Sequence, residues 1–473
     1  MPYMANPELP IHDGLVLRPF RGVRFTVDDP AEVTSPPYDL IEENGVQDLL
    51  TSHPNNVVRL ILPGADRHRY AEARQTLDTW LSSGVLAADE TPAVYVYEQT
   101  GPGVLQRGLI GDVGLAEPEQ GVVLPHEDVM PGPVADRLAL MRVTEANLEP
   151  IFLLYEGAGG TATRLVDRIA ADRPPLVEAR TQDGVRHRLW AITDPEELSG
   201  INADLRSRQA LIADGHHRYA TYLALQREHH TASSAPGTAP PGTGFPANGS
   251  PSGAAPGASS KGSAQGGSRE SAQGGTGTRD QPVEPGPWDF GLALLVDSDS
   301  YPPDLRAIHR VIPDLPLRKA VDRAGQAWKV REHTGLTEGL AALAKAEEPS
   351  FLLSDGDNTY LLTDPDPGRL ESAMPGHRSA RWRALNTAVL AEFVLPGLWG
   401  LRDDEQSVRI VHHDPATAVR LARASGGTAV LLNPLTVDDV LAVAAQAERV
   451  PRKSTSFGPK PRTGLVLRVL SLG

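Results

Sequence analysis

Asp214, Gly215, His216, His217 and Arg218 stand in a row where an apolar run, Ala210 to Ala213, gives way to a helical pattern carrying Tyr219, Tyr222, Leu223 and Leu225. Those residue types in that order describe an anion site. Gly215 lets the backbone turn tightly and approach a ligand, and the first free N–H groups of the following helix carry partial positive charge. Arg218 offers a two-pronged fork to phosphate or carboxylate. His216 and His217 can donate hydrogen bonds or carry protons, and Asp214 can orient one of them or take a metal. Ionisable groups crowded at a strand-to-helix turn are costly unless paired or used, so the segment reads as functional.

Three further clusters could join it. In Pro125-His126-Glu127-Asp128, followed by Asp136-Arg137-Leu138, the adjacent His126 and Glu127 make a base with its orienting partner or two ligands for a cation. Their spacing matches no zinc pattern, and a solvated loop is the plainer expectation. His309-Arg310, expected just after an apolar strand, offers another cation beside another proton carrier, with a surface ion pair as the competing expectation. Pro451 to Lys460 packs Arg452, Lys453 and Lys460 with Ser454, Thr455 and Ser456, a composition suited to phosphate or carboxylate, without the glycine pattern of a P-loop. Ser35-Pro36-Pro37-Tyr38-Asp39 is a rigid turn that could present Tyr38 and Asp39, and structural punctuation is its safer reading.

The elements that must position these groups are legible in outline. A helix is expected where Tyr70, Ala73, Leu77, Trp80 and Leu81 recur at threes and fours, ending at Gly84. Val94–Tyr97 and Val104–Val113 flank Gly101-Pro102-Gly103 as a hairpin. Ile151–Tyr155, Leu211–Ala213 and Gly291–Val296 read as buried strands. Helix and strand patterns then alternate through Leu336–Ala346, Tyr360–Leu362, Ala384–Leu395, Val408–His412, Ala416–Ala424, Thr428–Leu432 and Val437–Ala445, and Gly464–Leu472 reads as a closing strand. The expected class is α+β, or α/β with short mixed strands. Thr231 to Pro287 has no Leu, Ile, Met, Tyr or Trp and repeats SAQGG, so it is expected to be a disordered insertion within one folded unit. The expected units are residues 1–120, 121–230 together with 288–330, and 331–473.

The whole chain narrows the chemistry. A length of 473 residues allows two or three domains, and a net charge of −15 argues against general affinity for nucleic acid. The absence of cysteine removes disulfides, thiolate metal sites and cysteine nucleophiles. Met1 to Gly14 lacks the pattern of a signal peptide and no run of 18 apolar residues occurs in the sequence, so a cytoplasmic, non-membrane protein without a signal peptide is expected.

Taken in order, these segments resemble a large prokaryotic family defined only as a domain of unknown function, number ten-fifteen. The resemblance runs from Arg18-Pro19-Phe20 and Pro37-Tyr38-Asp39-Leu40-Ile41 through Pro125-His126-Glu127, Asp136-Arg137-Leu138 and Asp214-Gly215-His216-His217-Arg218-Tyr219. It continues to His309-Arg310, Lys453-Ser454-Thr455, Pro459-Lys460 and Thr463-Gly464-Leu465. It departs at Val129, where Thr is usual, and at Ser456 and Gly458, where aromatic residues are usual. The Asp214–Arg218 segment is also similar to the signature of the ParB and sulfiredoxin superfamily, which includes nucleotide-binding partition proteins and kinases of free serine. That similarity implies a ParB/sulfiredoxin-like nucleotide-binding core. The sulfiredoxin reaction itself is excluded, since its nucleophile is a cysteine.

The expected activity is phosphoryl transfer from a nucleoside di- or triphosphate, with Mg²⁺, to a small hydroxylated metabolite. Asp214, His216, His217, Glu127 and His126 are the expected catalytic groups. Gly215, His217, Arg218, His309, Arg310, Lys453, Ser454, Thr455 and Lys460 would hold the nucleotide, and Asp214 or Glu127 the metal. The alternatives are a metal-dependent hydrolase using Asp214, His216, His126 and Glu127 as ligands, and a non-catalytic, nucleotide-gated ParB-like regulator. Specific DNA binding is not expected.

Overall fold

The computed structural model describes residues 9, 12, 14–66, 68–233 and 285–472; most of the stretch expected to be disordered therefore lies outside the described residues. A nine-stranded mixed sheet organises the chain from Leu17 to Asp297. Its order is Val123–Leu124, Ala210–Asp214, Ile151–Tyr155, Phe290–Asp297, Val104–Gly114, Val94–Gly101, Arg186–Ile192 and Val177–Arg180, with Leu17–Arg18 pairing on Val104–Gly114 off this path. Two pairings are parallel, Val123–Leu124 with Ala210–Leu211 and Ile151–Tyr155 with Ala293–Asp297; the others are antiparallel. The sheet runs across the expected division at residue 120, and it takes strands from both sides of residues 234–284.

The two-residue period of the strands explains why several read as unbroken apolar runs. Phe152, Leu154, Leu211, Leu292 and Leu294 enter one core, while Ile151, Leu153, Ile212, Ala293 and Leu295 enter another on the opposite face. The second face is covered by helices that contribute Ala162, Leu165, Ile169, Ile201, Leu205, Tyr219 and Tyr222. The first joins residues of the C-terminal region, among them Trp328, Phe351, Trp382 and Phe457.

That region holds an antiparallel six-stranded sheet in the order Lys329–His333, Thr359–Thr363, Phe351–Ser354, Thr428–Leu431, Ile308–Ile312 and Arg409–His412. A short ladder, Asp304–Arg306 with Ser456–Gly458, brings the basic segment near the chain's end onto the link between the two sheets.

Three expectations about elements change. His309 and Arg310 lie inside the strand Ile308–Ile312, not after it. The helix expected over Ala384–Leu395 is broken: Leu385 is extended between Ala380–Ala384 and Asn386–Val389, and a widened helix, Leu390–Trp399, contains Pro396, which cannot donate to the regular ladder. The closing strand over Gly464–Leu472 shrinks to Arg468–Val469 followed by a tight turn at Leu470–Leu472. Arg468 is drawn inward instead, paired with Asp112 at 2.6 Å and donating to Asn147 and to the carbonyls of Pro287 and Phe290.

Candidate functional site: a carboxylate-clamped lysine at the end of the signature strand

Asp214 is the last residue of the strand Ala210–Asp214, which lies next to the edge strand Val123–Leu124, and the helix His216–Ser233 starts two residues later. Gly215 between them has φ +95°, a left-handed conformation that favours glycine. Its clearance serves the protein itself. A Cβ there would lie 3.0 Å from Ile151 Cγ2 and 3.2 Å from the Arg218 guanidinium, which folds back beneath the turn. Gly215→Ala is expected to cost about 1–3 kcal/mol of stability from backbone strain, measurable as a lower denaturation midpoint.

Arg218 is 4 % exposed, and its fork is occupied: one prong pairs with Asp214, and Nη1 donates to the Pro150 carbonyl. Burial opposes its charge, but Asp214, Glu149 and Asp39 more than offset that and raise its pKa. The other oxygen of Asp214 pairs with the Lys460 ammonium, which also reaches Asp39 Oδ2 at 2.6 Å. Lys460, near one end of the chain, is thus clamped between a carboxylate from near the other end, Asp39, and one from its middle, Asp214. Burial disfavours its charge, yet Asp214 and Asp39 raise its pKa; burial disfavours an ionised Asp39, yet Lys460 and Arg218 lower its pKa.

Asp39 is held in place through its neighbour. The Tyr38 ring lies 4.7 Å from the Arg137 guanidinium and 6.0 Å from that of Arg218, and the Tyr38 N–H donates to Glu149 Oε1 at 3.0 Å. Thr463 Oγ1 donates to the same oxygen at 3.1 Å. Asp136 ties Arg137 to Arg69 and Tyr70.

The second half of the site grows from the segment after Val123–Leu124. The half-buried Glu127 accepts from Thr455 Oγ1 at 3.0 Å, and that hydroxyl lies 2.8 Å from His126 Nε2. Burial raises the pKa of Glu127, opposed by Thr455, Lys453 and Lys460 and reinforced by Asp214. The carboxyl therefore lies within electrostatic reach of the Lys460 clamp. His126 is fully buried, and its backbone N–H donates to His216 Nε2 at 3.3 Å with the two rings edge to face at 4.5 Å. His217, half-buried, accepts from the Met130 N–H at Nε2, 3.0 Å away. With Nε2 accepting, the proton of each of these two rings belongs on Nδ1.

Burial lowers the pKa of all three rings, that of His126 to about 3. Histidines buried neutral contribute stability that is present above their unfolded value of 6.5 and lost as the pH falls toward the folded value. The denaturation midpoint is therefore expected to fall between pH 7 and pH 5, and His126→Asn to weaken that dependence.

Of the residues singled out in the sequence, Asp214, His217, Arg218, Glu127, Lys453, Thr455 and Lys460 come together, with His126 and His216 packed behind them. Ser454 is buried, with its hydroxyl on the Pro451 carbonyl. His309 lies apart, its Nδ1 accepting from the Leu432 N–H at 3.4 Å, and Arg310 supports the backbone of Arg452 and Lys453. Asp39 and Glu149 were not expected to be site residues. Glu149 carried a signal, a charge set in the apolar run Leu148 to Leu154; Asp39 had only its rigid Pro-Pro-Tyr turn.

No group of three or more His, Asp or Glu side chains that could hold a metal occurs among the described residues. No helix there is long and apolar enough to cross a membrane. Beside Lys460 opens a cavity of about 670 Å³ whose wall includes Gln99, Arg306, His413, Ser456 and Arg462.

No curated protein matches the chain. Among solved structures, free serine kinase in complex with AMP is 11% identical, with 77% of this chain and 93% of that one covered at a TM-score of 0.32. SbnI with C-terminal truncation from Staphylococcus aureus is 11% identical, with coverage of 77% and 88% and a TM-score of 0.34. A conserved hypothetical protein from Pyrococcus furiosus is likewise 11% identical, with coverage of 77% and 97% and a TM-score of 0.32. Residues 17–243, the stretch that carries Asp39, Glu127 and the signature at Asp214–Arg218, match the model of the family described as "Protein of unknown function (DUF1015)".

Proposed function

We propose that the protein binds a nucleoside di- or triphosphate beside Lys460 and transfers a phosphoryl group to the hydroxyl of a small metabolite. The observation that carries this is the placement of Glu127, a carboxyl whose pKa burial raises, on Thr455 and within the field of Lys453 and Lys460. Phosphoryl transfer needs positioned cations for phosphate oxygens and a base for the acceptor hydroxyl, and little else from the protein. Lys453, Lys460 and the N-terminal N–H groups of the helix His216–Ser233 supply the first; Glu127 supplies the second. Arg218 acts indirectly, fixing Asp214 and through it Lys460.

The donor set does not fit a resident metal. Both Asp214 oxygens are paired with cations, and Glu127 accepts from Thr455. Mg²⁺ would enter with the nucleotide as part of the substrate, since it binds through phosphate oxygens with one or two protein carboxylates. The same geometry removes support from the hydrolase alternative. The likeness of Asp214–Arg218 to the ParB and sulfiredoxin signature belongs to this proposal, as does a nucleotide-binding core around it.

The test is ³¹P NMR of the protein with Mg·ATP and pooled small hydroxylated metabolites. A new phosphate-ester resonance that grows as the γ-phosphate signal falls is expected. Nucleotide bound without turnover across polyol, amino-acid and sugar pools would favour the regulator alternative.

A further inference from the structure

His412 ends the strand Arg409–His412 and had no place among the expected site residues. It pairs with Ile308 on the strand that carries Arg310, and Lys453, His413, Lys460 and Arg310 all oppose its protonation. Of these cations Lys460 is shared by Asp39 and Asp214, while Lys453 and Arg310 make no ion pair among the described residues, in a chain with a net charge of −15.

Arg310 lies beneath it, 1 % exposed, with its guanidinium on the carbonyls of Ile308, Arg452 and Lys453 at 3.1, 3.2 and 2.9 Å. Its Nε has no partner, and it makes no ion pair among the described residues; the acidic charges acting on it are Asp403 and Glu127. A buried guanidinium hydrogen-bonded only to carbonyls, with no carboxylate in contact, is a costly arrangement that a bound anion would relieve. The carbonyls it grips fix the loop that presents Lys453, which has a left-handed φ of 51°, and His413, with φ 63°, is held by Ser456 at 3.1 Å. Lys460, His413 and Ser456 also line the 670 Å³ cavity, so the basic corner borders a space large enough for a ligand.

We propose that His412, Lys453 and Lys460, underlain by Arg310, form a binding corner for a polyphosphate group. Lys453 and Lys460 act as point charges on phosphate oxygens, His412 donates a hydrogen bond, and Arg310 holds the loop and adds its field from below. This deepens the phosphotransferase reading by placing the anionic end of the nucleotide, but its test requires no turnover.

The test is isothermal titration of the full chain with inorganic pyrophosphate, using wild type, Lys453→Gln, His412→Gln and the remote control Lys329→Gln, whose side chain is an exposed partner of Asp364. Both corner residues are exposed, so the variants should fold, and a melting curve checks that they do. Wild type should bind, each corner variant about tenfold or more weakly, the control unchanged, and the corner variants with a shallower salt dependence. That outcome supports the corner even if no phosphoryl transfer is found. No binding by wild type, equal affinity in the corner variants, or an equal loss in Lys329→Gln would overturn it.

Discussion

Glu127→Gln is expected to slow phosphoryl transfer by about 10²–10⁴-fold, the usual contribution of a positioned general base, while Mg·ATP affinity stays within about twofold. The amide keeps the shape of the carboxylate and its hydrogen bond from Thr455 but cannot accept a proton. The pH dependence should carry the same signature. Burial raises the Glu127 pKa, so the acid limb of kcat/KM should lie above the ordinary carboxylate range, with activity falling as Glu127 protonates.

Stability moves the other way. A carboxyl whose folded pKa exceeds its unfolded value contributes stability that is complete below the unfolded value and lost as the pH rises through the folded one. Glu127→Gln should therefore make the protein more resistant to denaturant near pH 8 and leave it almost unchanged near pH 4. A slow enzyme that is also less stable at pH 8 would point to a structural role for Glu127.

Arg218→Ala is expected to cost about 3–5 kcal/mol of stability, the penalty for breaking a buried ion pair and stranding one partner. The sequence alone suggested a loss of phosphate contact instead. In the fold the guanidinium is buried against Asp214 and Pro150, so its removal leaves Asp214 with Lys460 only and opens the space beneath Gly215. Urea unfolding of the variant would show this as a large fall in midpoint at pH 7. An undisturbed midpoint with a collapse in nucleotide affinity would restore Arg218 as a direct phosphate ligand.

The contrast between Arg218 and Lys460 shows how far the sequence reaches. Local order made the signature legible: an apolar run ending in Asp214-Gly215 must turn, and the helix after it must expose free N–H groups. The same local order made the strands around it legible, since each alternates between two cores. What it could not give was which charges satisfy one another. Arg218 and Lys460 are equally cationic in sequence, yet one is spent beneath the turn and the other sits at a cavity, because Asp39 arrives from far along the chain to share Lys460 with Asp214. His412 was illegible for a related reason. Nothing in Val411-His412-His413 sets it apart until the antiparallel pairing of Ile308 with His412 brings it beside Arg310 and the Lys453 loop.

The most direct measurement is isothermal titration of wild type and Lys460→Met with Mg·ATP at pH 7.5, with the fold of each confirmed by thermal unfolding. Saturable binding by wild type that falls about tenfold or more in the variant is the expected result. A folded wild-type protein that releases no heat and gains no thermal stability with Mg·ATP would contradict a nucleotide site at Lys460.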